Sequence, residues 1–322
     1  MGAPDHFSIR GGANPHTRNR FGVRKRVRRD LAIAQWHGFA KELVDRGVEI
    51  FVVPPDPLWP GLVYPANAGC LFPLDDELPI AEKRFVLANL LPTRQGERAI
   101  YRTVAERIGY STVGVASRFE GEADFFPVGR DLYLLSWGRI ERQRFVPRLG
   151  FPPWRRQYGF RTERGALDEL SAFAGGREVL ALELVDEAYY HGDTCLAAFG
   201  RDRSFLLAWL EALAPESQRT LRERLGERLL PLSRDDAAIY AANSYRSNAD
   251  GAELLFLPLG VSEKLRGEVR DRGIEPVLVD VSEFWRKGGG SVKCMIGDLG
   301  PLDPPADAAI AEARVKLRYR PP

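Results

Sequence analysis

Cys294 closes the stretch Gly288-Gly289-Gly290-Ser291-Val292-Lys293-Cys294, which follows the apolar run Val277-Leu278-Val279-Asp280-Val281. Successive glycines allow turns and close approaches that a Cβ forbids, and a lysine beside a cysteine favours the thiolate, the nucleophilic form. The stretch reads as a loop presenting one thiol. It fits equally a small apolar cysteine buried at the start of a last strand, because free cysteine is among the most buried residue types. Elsewhere, His191 sits in Tyr189-Tyr190-His191-Gly192-Asp193-Thr194-Cys195 with a carboxylate two residues on. In a strand those two side chains share a face, an arrangement that suits a proton shuttle beside a bound cation; a core histidine bonded to a neighbour is the other reading.

Glu120, Glu122 and Asp124 crowd Phe119-Glu120-Gly121-Glu122-Ala123-Asp124-Phe125-Phe126. Three carboxylates so close make a solvated acidic turn unless the flanking phenylalanines draw one inward, where it needs a cationic partner. Asn67 lies in Pro65-Ala66-Asn67-Ala68-Gly69, just past Leu62-Val63-Tyr64. All four stretches follow apolar runs, and side chains on turns at strand ends converge on one cavity. A cysteine, a histidine and carboxylates are also the raw material of a zinc site. No Cys or His pair has ligand spacing, however, and Cys70, Cys195, His6, His16 and His37 read as packing or surface residues.

The elements that must position these residues alternate. Residues 1–22 read as loop, with at most a short strand near Phe7 and Ile9. Apolar residues from Asp30 recur at helical spacing until Gly47, and 48–53 reads as a strand. Further strands are expected at 62–64, 84–90, 112–115, 131–135, 179–184, 194–199, 254–257 and 277–281. Helices are expected at 97–108, 164–174, 216–225 and 262–272. This interleaving predicts an α/β fold. No G-x-G-x-x-G joins a strand to a helix, so a dinucleotide site is not indicated. Residues 139–157, rich in arginine with Pro152-Pro153-Trp154, read as an inserted loop, and 301–322 as a C-terminal tail with a loosely held end.

At 322 residues, 44% hydrophobic and 28% charged, the chain has ample length for a large core, and its formal charge of +2 points to neither nucleic acid nor an acidic partner. Arg18, Arg20, Arg24, Lys25, Arg26, Arg28 and Arg29 form a local basic cluster, but no interleaved aromatics accompany it, and a solvated face is the simpler reading. Three cysteines make no disulfide framework and fit a reducing, cytoplasmic setting; no run reaches membrane-spanning length, and no signal peptide is evident.

Taken in order, these motifs resemble the guanidino-group modifying enzymes: amidinotransferase, arginine deiminase, arginine dihydrolase and dimethylargininase. The likeness runs from Pro4-Asp5-His6-Phe7 through Ala66-Asn67-Ala68-Gly69, Thr93-Arg94-Gln95-Gly96-Glu97, Phe119-Glu120-Gly121 to Asp124, Tyr158-Gly159-Phe160-Arg161-Thr162, Tyr190-His191-Gly192-Asp193-Thr194, Ala242-Asn243 and Gly289-Gly290 to Cys294-Met295. It implies a five-bladed α/β propeller (pentein-type) around a central active-site pocket, with 1–300 a single catalytic domain. It implies that Cys294 attacks the guanidinium carbon to give a covalent amidino-thioether and that His191 moves the protons. Glu120 is then the acidic partner of the histidine, and Asp193 the second guanidinium-binding acid. Asp124 shares that work, and no metal or organic cofactor is needed.

Asn67 stands where deiminases carry an aspartate. With Asn14-Pro15 upstream, the Ala-Asn-Ala-Gly form looks most like arginine dihydrolase, which implies a looser hold on the cation and a second round of hydrolysis. Arg94 is implied as the partner of a substrate carboxylate. The chain departs from the family pattern at Gly61 for an acid, Pro65 for threonine and Gly192 for leucine. The 139–157 insertion, without a counterpart in the family, is expected as a basic, aromatic lid, and the resemblance places the true start upstream of Met1. The expected function is a cysteine-dependent hydrolase of arginine or a related guanidine that releases ammonia. An amidinotransferase passing the amidino group to an amine is the alternative, and a non-catalytic binder of a guanidine or a protein is a third reading, which has no need for the thiol.

Overall fold

The computed structural model describes residues 1–11, 14–19, 21–74, 78–141, 144–148 and 151–321, with side chains omitted at 145–148 and 151–155. After α1 (Arg29–Val44), the chain repeats one pattern four times: a short antiparallel strand pair, a connection that carries a helix, and a third strand parallel to the second. The first unit is β1 (Gly69–Phe72), β2 (Arg84–Leu87), α2 (Glu97–Ile108) and β3 (Ser111–Gly114). The second is β4 (Phe125–Val128) and β5 (Leu132–Trp137), interrupted by the hairpin β6 (Arg144–Arg148) and β7 (Phe151–Gln157), then α3 (Ala166–Ser171) and β8 (Glu178–Glu183). The third is β9 (Leu196–Phe199), β10 (Phe205–Ala208), α4 (Pro215–Leu225) and β11 (Leu229–Pro231). After α5 (Arg234–Ala238), the fourth is β12 (Tyr245–Ser247), β13 (Leu254–Pro258), α6 (Glu263–Arg270) and β14 (Glu275–Val279). The chain ends with α7 (Ser282–Gly288) and α8 (Ala308–Leu317).

The α/β reading therefore holds: the described residues form four small open sheets of three strands plus the inserted hairpin. Residues 50–53 add a further ladder of isolated bridges. Gly2 pairs parallel with Val53, Arg318 pairs antiparallel with Phe51, and the Tyr319 N–H donates to Ile50 O at 2.8 Å. The two ends of the chain thus meet on one segment.

Local chemistry explains several boundaries. On α2, Glu97, Tyr101, Ala105 and Ile108 lie on one stripe and are all buried, and Gly109, left-handed at φ 114°, ends the helix. Ser262 caps α6 by accepting from the Leu265 N–H at 3.1 Å. The strand expected at 62–64 does not form. Pro60 and Pro65 lack N–H groups and preset φ, so Pro60–Val63 and Pro65–Asn67 become single 3₁₀ turns that still bury Leu62 and Val63. Nor does a strand form near Phe7 and Ile9. The 139–157 segment contains a β-hairpin instead of a bare loop. The segment 301–322 is held more firmly than its composition suggests: Arg314, buried on α8, donates from Nε to Ile108 O at 2.9 Å and from Nη1 to Asp303 O at 2.7 Å.

Candidate active site

The loops that start the repeating units converge. Phe119 and Phe125, both buried, meet edge-to-face at 6.5 Å and draw the acidic stretch between them into the interior; each ring contributes about 2 kcal/mol by burial. Glu120, Glu122 and Asp124 are consequently all buried, and the solvated acidic turn is excluded. Gly121 takes φ 70° there, and a Cβ on it would lie 2.5 Å from Ala66 O, so the turn packs directly on the Asn67 loop.

His191 precedes a 3₁₀ turn, Gly192–Thr194, that leads into β9. Its Nε2 lies 2.8 Å from Glu120 Oε2 and 4.0 Å from Asp124 Oδ2. Burial disfavours the imidazolium, but Asp124, Glu120 and Asp193 outweigh it and raise the His191 pKa. Burial likewise works to raise Glu120, yet the His191 hydrogen bond and charge, with Arg94 and Arg161, hold it down at about 2. Both shifts favour an imidazolium beside a carboxylate. Nδ1 of His191 is buried without a hydrogen-bond partner among the described residues.

Cys294 lies on a second 3₁₀ turn, Lys293–Met295, beyond the glycines. Gly289 ends α7 at φ 85°, and a Cβ on it would meet Asn14 and the Tyr190 hydroxyl within 3.0 Å. Asn14 donates from Nδ2 to Gly288 O at 2.8 Å, and Tyr190 OH donates to Gly289 O at 2.8 Å. Asn243 ties down the rest of the loop. Its Oδ1 accepts from the Ser291 N–H at 2.9 Å and the Cys294 N–H at 3.1 Å, and its Nδ2 donates to Cys294 Sγ at 3.1 Å. The thiol donates to Asp193 Oδ2 at 3.2 Å. Burial, then the Asp193 charge, push the thiol well above its ordinary range, so the resting group is a thiol. Lys293 does not activate it. Neighbours on a 3₁₀ turn point apart, and Lys293 Nζ is instead 2.9 Å from Glu122 Oε1.

Cys294, His191, Glu120, Asn67, Arg94 and Asn14 line one cavity of about 170 Å³. Asp193 stands behind the thiol, with Oδ1 buried and unpartnered among the described residues, and burial raises its pKa. Asp124 is not in the cavity wall. Its oxygens accept from Thr162 Oγ1 at 2.6 Å and the Gly192 N–H at 2.8 Å, which fixes the turn that carries His191 and Asp193 and leaves Asp124 in a positioning place. Arg94 is heavily engaged: Nε reaches both oxygens of Glu97 at 3.1 Å, Nη2 reaches Glu97 Oε2 at 2.7 Å and Gly61 O at 3.1 Å, and Nη1 reaches Asn67 Oδ1 at 2.8 Å. A larger cavity of about 900 Å³ is lined by neither cysteine nor histidine.

Three wall or support residues were not among the candidates. Arg161 lines the cavity and stacks 5.0 Å from the Tyr190 ring, and Asn243 organises the thiol loop; both lie in quoted motifs, and the motif was their only signal. Glu97 had a stronger one, a carboxylate on the apolar stripe of α2. Cys70 and Cys195 are buried free thiols, His16 faces Ala188 O at 2.9 Å and His37 faces Tyr319 OH at 2.9 Å, in keeping with packing roles. Among the described residues no group of His, Cys, Asp and Glu could hold a metal, and no helix is long and apolar enough to cross a membrane. Arg20 of the basic cluster lies outside the described residues.

No family model matches the chain. It is 29% identical over 301 residues, 94% of its length, to N(G),N(G)-dimethylarginine dimethylaminohydrolase of Mycobacterium tuberculosis, of which 85% is covered. It is 27% identical over 321 residues to the bifunctional arginine dihydrolase/ornithine cyclodeaminase AgrE of Nostoc, and spans 40% of that longer protein. The crystal structure of the N-terminal domain of ArgZ, a cyanobacterial arginine dihydrolase, as a cysteine-to-serine variant bound to substrate, superposes with a TM-score of 0.76 over 93% of this chain and 97% of that one, at 23% identity. By these likenesses the chain is an enzyme homologous to guanidino-group hydrolases, and its fold is that of the ArgZ dihydrolase domain.

Proposed function

We propose that the protein hydrolyses arginine or a close guanidine through a covalent intermediate on Cys294 and releases ammonia. The observation that carries this is one small cavity lined by a thiol, an imidazolium paired with a carboxylate, and the Asn67 and Arg94 side chains. A guanidinium is a resonance-stabilised cation and a poor electrophile, so it must be held by acceptors while a thiolate reaches its central carbon. Asp193 serves both needs. One oxygen accepts the thiol hydrogen bond, and the buried, unpartnered Oδ1 is an acceptor for a substrate N–H. Entry of the cation offsets the charge that holds the thiol pKa up, the thiol proton passes to Asp193 Oδ2 along its hydrogen bond, and the thiolate then forms the C–S bond. His191, protonated at rest, gives a proton to the departing nitrogen and then takes one from the incoming water.

Glu120 keeps the imidazole charged, and Arg161, with Arg94, supplies positive potential for a substrate carboxylate. Four of the five N–H groups of Arg94 are committed to Glu97, Gly61 and Asn67, and Arg161 Nη1 donates to Gly159 O at 3.0 Å, so both act on a substrate carboxylate chiefly through their charge. We place the site at the centre of a five-bladed propeller, the residues 50–53 ladder acting as the fifth blade, and assign the chain to the cytoplasm. The hairpin at 144–157 is the candidate lid.

The test is mass spectrometry of products from isotopically labelled arginine, with and without added glycine or ornithine, and with Cys294→Ala as control. Ornithine with ammonia means two hydrolyses and citrulline means one. A new guanidino compound formed only with an amine means amidino transfer, and turnover by Cys294→Ala rejects the mechanism.

A further inference from the structure

Free arginine carries two cations, a guanidinium at one end and an ammonium at the other, and a site that encloses both needs an anion for each. Two carboxylates line the cavity, Glu97 and Glu120, and both are spent. Each Glu97 oxygen accepts from Arg94 Nε at 3.1 Å, and Oε2 also accepts from Nη2 at 2.7 Å. Glu120 Oε2 faces His191 Nε2 at 2.8 Å, and its Oε1 accepts from the Leu91 N–H at 3.2 Å. Nor has the wall room for another acid at Gly61, where a Cβ would lie 2.3 Å from Glu97 Oε1 and 2.9 Å from Arg94 Nε. Asp193, behind the thiol, keeps one oxygen buried without a partner among the described residues, and it serves the end where the guanidinium reacts.

The cations at the site outnumber the anions. Arg10, Arg94, Arg161 and protonated His191 stand against Glu97, Glu120 and Asp193. Arg10 holds the mouth. Exposed there beside the exposed Leu58, it spans the opening by donating from Nη1 to Leu58 O at 3.2 Å and from Nη2 to Pro57 O. Its own carbonyl accepts from Arg24 Nη1. Arg24 comes from the segment 10–29, which holds eight arginines and lysines and no acid. A mouth of this sign draws anions in and opposes an ammonium.

We infer that Arg10 and the cationic wall select guanidines whose far end is a carboxylate without an ammonium, so that the preferred substrate is an ω-guanidino acid over free arginine. The inference deepens the guanidine-hydrolase reading and rests on it. In either molecule Asp193 Oδ1 meets the guanidinium, and the charge of Arg10, Arg94 and Arg161 meets the carboxylate. The ammonium of arginine finds no such partner. Backbone carbonyls accept from it without cancelling its charge, and the neighbouring guanidiniums repel it. Arg10 sets specificity and takes no part in the bond-making steps.

The test is ammonia release by the wild-type protein from 5-guanidinopentanoate, L-arginine and agmatine. The three share the guanidine and differ at the far end, which is a carboxylate alone, a carboxylate with an ammonium, or an ammonium alone. Their kcat/KM values should fall in that order by about tenfold at each step, and the gaps should narrow as salt is raised. Arg10→Glu should close most of the first gap, and Arg10→Lys, which keeps the charge, should preserve it. If arginine equals or exceeds 5-guanidinopentanoate, or agmatine exceeds arginine, the selection is overturned while the hydrolase reading stands. A first gap untouched by Arg10→Glu overturns its assignment to Arg10. Ammonia from none of the three rejects the hydrolase reading, and the selection with it.

Discussion

The Cys294 thiol donates to Asp193 Oδ2 at 3.2 Å, so the proposed nucleophile rests against an acid. After burial, that carboxylate is the largest cause of the raised thiol pKa. Replacing Asp193 by Asn removes the charge and should move the pH midpoint of iodoacetamide alkylation of Cys294 to lower pH, even as turnover is lost. A midpoint that stays or rises would show that Asp193 does not hold the proton on sulfur.

The Glu120–His191 pair gives a second prediction. Glu120 titrates at about 2 in the folded protein against 4.5 unfolded, so its stabilisation is present above pH 4.5 and is lost as pH falls toward 2. His191 titrates above 6.5 when folded, so its stabilisation is complete below 6.5 and is lost as pH rises through the raised value. The stability gap between wild type and Glu120→Gln should therefore be widest between about pH 4.5 and 6.5, on the order of 3 kcal/mol for a buried pair that loses one partner. Urea unfolding across pH measures it. The basic limb of the rate profile should also move to lower pH in the variant, because His191 loses the partner that keeps it protonated; a fixed limb would remove Glu120 from the proton shuttle.

Gly289→Ala tests the backbone that carries the thiol loop. The residue sits at φ 85°, where an L side chain is strained, and its Cβ would press on Asn14 and Tyr190 at 2.9 to 3.0 Å. The cost should be about 1–3 kcal/mol, read as a lower Tm, with a fall in kcat because the contacts disturbed are those that seat Gly288 and Gly289. A variant with wild-type Tm and kcat would show that the loop re-forms around the Cβ.

What the sequence discloses and what it conceals divide along physical lines. Helix α2 is bounded as its apolar stripe and Gly109 predict, because both signals are local. The strand expected at 194–199 forms as β9, but β4 and β10 have four residues each, too few to show a period, and Pro127 within β4 argues against a strand that nevertheless pairs with β5. Leu62-Val63-Tyr64 misleads in the opposite direction: the apolar run is buried, but prolines on either side deny it a ladder. At the site, Cys294, His191 and Glu120 are legible as residue types that do chemistry. Whether a neighbour in sequence is a neighbour in space is not. Lys293 adjoins the thiol and pairs with Glu122, whereas Asn243, fifty-one residues distant, touches the sulfur.

That contact supplies the last prediction. Asn243 accepts two backbone N–H groups of the thiol loop and donates to both Cys294 Sγ and Asp193 O at 3.0 to 3.1 Å. Asn243→Ala strands the buried N–H groups of Ser291 and Cys294 and should cost about 2–4 kcal/mol in urea unfolding. Asn243→Asp keeps both acceptors, so it should cost less stability, but it replaces a donor at the sulfur with a negative charge. It should therefore raise the pH midpoint of Cys294 alkylation and lower kcat more than KM changes. The two variants separate loop support from thiol tuning: if Asp restores stability and leaves the alkylation midpoint at the wild-type value, Asn243 supports the loop and has no hold on the nucleophile.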